Sequence, residues 1–113
     1  MIQCSMLLVW AVLVLLLLAA GAVADDSLPF TCRAERAQLD VNMRQSEERI
    51  DSAWVADDPV GKCVAVRIHI EVLRSAADVY TRCTMGRERD ESRGRAIDSL
   101  ADFQDIAEEI NCP

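Results

Sequence analysis

Cys63 and Cys83 close the two ends of one stretch, KCVAVRIHIEVLRSAADVYTRC (62–83), whose apolar residues recur at helical spacing. As a helix rising 1.5 Å per residue, the stretch holds their Cα atoms about 30 Å apart. A disulfide needs Cα atoms roughly 4.4–6.8 Å apart, so the two cannot bond to each other. Each must reach a different part of the chain, and few folds allow that.

The central stretch is one of three. Asp58 before Pro59 reads as an N-cap followed by proline at the first helical position, which starts a helix at 59 and carries it to about 84. Its apolar residues, among them Ala65, Val66, Ile70, Leu73, Ala76, Val79 and Cys83, fill an arc of about 200°. An arc that wide predicts packing against two neighbours.

Before it, an amphipathic helix is expected over about 32–55, with Thr31 placed to cap it. The stripe of that helix is Cys32, Leu39, Met43, Ser46, Ile50 and Ala53 with Trp54. After it, TMGRERDES (84–92) reads as a break: Gly86 ends the second helix and Asp90 or Ser92 caps a third over about 92–111. The third stripe is Ile97, Leu100, Phe103, Ile106, Ala107 and Ile110. Three helices on short loops give an all-α, antiparallel up-down-up bundle.

In such a bundle Cys32–Cys63 would join opposite ends and fails as Cys63–Cys83 does. Cys32–Cys83 at one end and Cys63–Cys112 at the other remain. On the central helix, Cys63 and Cys83 project about 160° apart, each toward a different neighbour. Two bridges fit an oxidising compartment.

The N-terminus agrees with export. Met6 to Ala24 carries no charge and ends in Ala22-Val23-Ala24 before Asp25-Asp26, an apolar core with an Ala-x-Ala cleavage site. Residues 1–24 are expected to be a signal peptide cleaved after Ala24, and 25–113 a single helical domain, secreted or periplasmic. The apolar run approaches the roughly 20 residues that span a bilayer, so an uncleaved anchor is the alternative and the one route to a membrane. Charge narrows the partners. With 12 basic against 19 acidic residues and a net charge of −7, neither nucleic acid nor an anionic lipid surface is expected.

Three groups are candidate sites. His69, the single histidine, lies within the apolar arc, level with Ser46 on the first helix and Ile106 on the third, with Asp102 and Asp105 a turn or less away. A buried imidazole needs a hydrogen-bonding partner, and Ser46 is placed to be it. Ser46, His69 and an aspartate could also suggest a hydrolytic triad. A mid-helix serine, however, offers neither an exposed nucleophile nor an oxyanion hole. The second candidate is the acidic outer face of the third helix, Asp98, Asp102, Asp105, Glu108 and Glu109, suited to a partner with a basic surface. It lacks the spacing of a calcium loop, and the cysteines lack C-x-x-C, so no metal and no cofactor are expected. The third candidate is the bundle core, as a channel for a small apolar ligand.

The order of the cysteines with YTRCTMGRERDE (80–91) resembles small periplasmic helical proteins of the lysozyme-inhibitor type, and the resemblance carries no functional residue across. The expectation is a non-catalytic binding or inhibitory module acting on another protein. A carrier of a small apolar ligand is the alternative.

Overall fold

A computed structural model describes residues 30–113, so the expected signal peptide lies outside the described residues. Three helices follow one another: α1 (Phe30–Val55), α2 (Pro59–Cys83) and α3 (Gly86–Glu109). They form the antiparallel three-helix bundle, with both expected disulfides: Cys32–Cys83, Cα atoms 5.3 Å apart, and Cys63–Cys112, 5.4 Å apart.

Two helix starts differ from expectation. α1 begins at Phe30, so Thr31 lies in its first turn rather than at its cap. α3 begins at Gly86, not near 92, and the break shrinks to Thr84-Met85. Gly86 does take the left-handed backbone, φ 58°, but it opens α3 instead of closing α2. The next residues continue as helix: Arg87 and Glu91 meet at i,i+4, and Ser92 is buried inside the helix.

The α1–α2 turn is closed by local chemistry. Asp57 takes φ 49°, and the N–H groups of Asp57 and Asp58 reach back to the carbonyls of Trp54 and Ala53, a Schellman end. Asp58 then caps α2: its Oδ1 accepts from the Val60 N–H at 3.2 Å, ahead of Pro59. The cap sits so close that a Cβ at Gly61 would lie 2.5 Å from Asp58 Oδ2. Past α3, Asn111 at φ 56° and the bonds from Asn111 to Glu108 and Cys112 to Ala107 repeat the Schellman turn. That turn swings Cys112 back to Cys63.

α2 is the shared middle element. It packs along both neighbours, whereas no Cα of α1 comes within 8 Å of a Cα of α3. Burial follows that order: α2 buries Ala65, Val66, His69, Ile70, Leu73, Ala76, Val79 and Cys83, and α3 buries only Ser92 and Ala96. The main apolar cluster, Cys32, Leu39, Ala76, Val79, Cys83 and Ala96, lies at the Cys32–Cys83 end. Toward the other end Ile50, Ala53, Ile106 and Ile110 are only half-buried.

Candidate functional site

Ser46 and His69 meet in the middle of the molecule, 1% and 4% exposed. The Ser46 hydroxyl donates its single proton to the Met43 carbonyl at 2.9 Å. Its oxygen therefore accepts from His69 Nδ1–H, 2.7 Å away, which sets the tautomer of the neutral ring. From α3, Phe103 meets the imidazole edge-on, centroids 4.4 Å apart at 62°. Phe103 lies about one turn before Ile106, the residue expected level with His69. His69 thus touches both outer helices across the gap between them.

Burial lowers the His69 pKa from its ordinary 6.5, and the negative charge of Glu47 on α1 pulls weakly the other way. The aspartates of α3, Asp102 and Asp105, are exposed and make no hydrogen bond to the ring. With its hydroxyl buried and committed to a backbone carbonyl, Ser46 lacks the reach of a nucleophile. The pair joins helices.

The acidic face is laid out as a stripe. Asp98, Asp102, Asp105, Glu108 and Glu109 are all exposed, and none belongs to an ion pair among the described residues. The last turn of α3 carries no basic residue, so Glu108 and Glu109 face the negative end of the helix dipole. Local stability would favour the opposite charge there. The arrangement keeps five carboxylates available to cations outside the molecule.

A different set of charges, not expected from the sequence, surrounds the Cys32–Cys83 bridge. Arg82 reaches Glu35 across helices at 3.0 Å and Asp78 on its own helix at 2.9 Å, and Arg36 of α1 meets Glu88 of α3 at 3.1 Å. Glu35 Oε2 also lies 3.3 Å from Cys83 Sγ. Cys32, Glu35 and Cys83 bring three metal-type ligand atoms together, but both sulfurs are spent in the disulfide and have no thiolate to offer. The signal for the inter-helix pairs was present, since Glu35, Arg36 and Arg82 flank the bridged cysteines in sequence; only the bridge makes them neighbours in space.

Apolar exposure is concentrated elsewhere. Of the six large hydrophobic side chains exposed among the described residues, Trp54, Val55, Val60 and Val64 come from the α1–α2 hairpin. Trp54, placed with the buried stripe by its spacing, is instead 39% exposed. A recess of about 530 Å³ opens beside them between α1 (Arg49, Ala53) and α2 (Gly61, Val64, Ile68). No protein-family model, curated protein or solved structure matches the chain. Among the described residues no helix is long and apolar enough to cross a membrane.

Proposed function

We propose that the protein is an exported, non-catalytic module that binds another protein through charge, the partner offering a basic surface. The observation that carries this reading is the stripe of five exposed carboxylates on α3, none of them in an ion pair among the described residues, the last two set against the helix dipole. Two long-range disulfides, suited to an oxidising extracellular or periplasmic environment, support export. An uncharged stretch ending in Ala-Val-Ala before the described domain supports it further.

The test is a pull-down from the exported fraction at low and high salt, repeated with Asp102→Asn, Asp105→Asn and Glu108→Gln combined. A partner that is retained at low salt, lost at high salt and lost on neutralisation supports the reading. Retention indifferent to both sinks it. Native mass spectrometry of the purified protein addresses the carrier alternative, which requires an apolar adduct on the chain.

A further inference from the structure

The two disulfides differ in their chemistry as well as their position. Cys83 is 0% and Cys32 5% exposed, and Glu35 Oε2 lies 3.3 Å from Cys83 Sγ. A sulfur released there as thiolate would form beside a carboxylate and at the negative C-terminal end of α2. Arg82 offsets part of the carboxylate's charge, but burial alone closes this bridge to an outside thiolate.

Cys63–Cys112 is reached from two sides, and both of its cysteines are half-buried. One recess, of about 360 Å³, meets Cys112 between Arg67, Arg74, Ala107 and Glu108. Another, of about 280 Å³, meets Cys63 between Val64, Arg67 and Ile110. Arg74 is engaged by Glu71 on its own helix, which leaves Arg67 and Glu108, one charge of each sign. Access, not net charge, sets this bridge apart. The space at Cys112 is that of a small molecule rather than a folded domain.

The helix ends give an exchange at this bridge a direction. Cys63 is the fifth residue of α2, where a side chain tilts back over the positive N-terminal turn; Arg67, one turn on, lines the same recess. Cys112 follows the C-terminus of α3, the negative end, with Glu108 in its recess. A thiolate is better held at Cys63, and the better-held thiolate is the one that leaves. Cys112 also stands outside the helix, free to move with whatever it bonds, whereas Cys63 is fixed in α2.

We propose that Cys63–Cys112 is a thiol-exchange site, at which a thiol of low molecular weight bonds to Cys112 and frees Cys63 while Cys32–Cys83 stays closed. The incoming thiolate forms a bond to Cys112 Sγ as the Cys112–Cys63 bond breaks, and Cys63 takes the electron pair. A second thiolate attacks the outside sulfur of the mixed disulfide, and Cys112 leaves with the second pair. The two protons lost by the thiols end on Cys63 and Cys112, and the two small thiols leave as one disulfide. Residues 111–113 are then untied from α2, while the apolar cluster and the buried bridge hold the fold. The exchange is independent of the α3 stripe and its partner.

The oxidised chain, kept without denaturant in excess reduced glutathione, is blocked with N-ethylmaleimide at intervals and mapped by mass spectrometry. The expected first product carries glutathione on Cys112 and maleimide on Cys63, with the Cys32–Cys83 peptide intact. Cys63–Cys112 should open at least about ten times faster than Cys32–Cys83. Arg67→Gln should slow only the faster reaction, by about twofold, with the unfolding curve in place because Arg67 is exposed. Both bridges opening together, at the rate of global unfolding, overturns the site, as does Cys32–Cys83 opening first. Glutathione found on Cys63 overturns the direction assigned here. A chain inert to glutathione but opened by a dithiol protein overturns the small thiol as its reactant.

Discussion

The two ends of this bundle are each closed by one disulfide, and they are built differently. At the Cys32–Cys83 end the bridge is buried, the apolar cluster surrounds it, and Arg82, Glu35, Arg36 and Glu88 tie the helices together outside. At the Cys63–Cys112 end the bridge is half-buried, valines face solvent, and carboxylates stand unpaired beside helix C-termini. The first end ties its helices together with ion pairs around a buried bridge. The second leaves apolar surface and negative charge unmet, and a bundle held together elsewhere can sustain that. His69 marks the boundary: the last fully buried residue of α1, Ser46, is its partner.

The largest test of this contrast removes the bridges separately. Each closes a loop of about 50 residues, worth about 4 kcal/mol in the chain-entropy account, so entropy alone makes the two equal. Cys32→Ala with Cys83→Ala also opens space in the packed cluster, and urea unfolding should show it to be the more costly pair. Equal losses, or the reverse order, would break the contrast. One step smaller, Leu39→Ala should cost about 3 kcal/mol, because Leu39 is 3% exposed inside the cluster. Ile110→Ala, at the half-buried end, should cost about 1 kcal/mol in the same assay.

How much of this was legible beforehand follows from what each feature depends on. The bundle and both bridges could be read because they depend on distance: the helix between Cys63 and Cys83 forbids their pairing, and the antiparallel bundle puts Cys32 and Cys63 at opposite ends. His69 and Ser46 could be placed level because antiparallel register, pinned by two bridges, fixes neighbours to within about a turn. The start of α3 could not. Gly86 signals a helix end, and nothing local says whether it closes α2 or opens α3; in the structure it opens α3. Trp54 was misplaced for a related reason. Helical spacing assigns a face, but burial needs a neighbour covering that face, and at the tip of the hairpin no helix does.

His69 gives a third prediction, at the boundary itself. Its folded-state pKa is lowered, chiefly by burial, so the unfolded chain takes up a proton first as pH falls. The stability that the neutral ring contributes is complete above about pH 6.5, its ordinary pKa, and is lost as pH drops through the lower folded-state value. Protonation would place a charge in the same desolvated setting that lowers the pKa. Thermal unfolding between pH 7 and pH 5 should therefore show a decline in the native chain that His69→Gln removes, whatever the variant's absolute stability. A flat native curve would mean that the ring takes its proton as readily folded as unfolded.

The smallest effect bears most directly on why the two ends differ. Three described residues adopt positive φ: Gly86 at the Cys32–Cys83 end, Asp57 and Asn111 at the other. Only the first uses the residue that adopts this backbone without steric cost. If folding alone had shaped the far end, glycine would serve there as well. Asn111→Gly should raise stability by about 0.5 kcal/mol, and Asn111→Val should lower it by about 1–2 kcal/mol. Asn111 also lines the recess beside Val60 and Val64. A glycine that stabilises the chain and yet weakens capture of the partner would separate what this end contributes to folding from what it contributes to contact. A glycine that leaves capture intact would assign Asn111 to the turn alone.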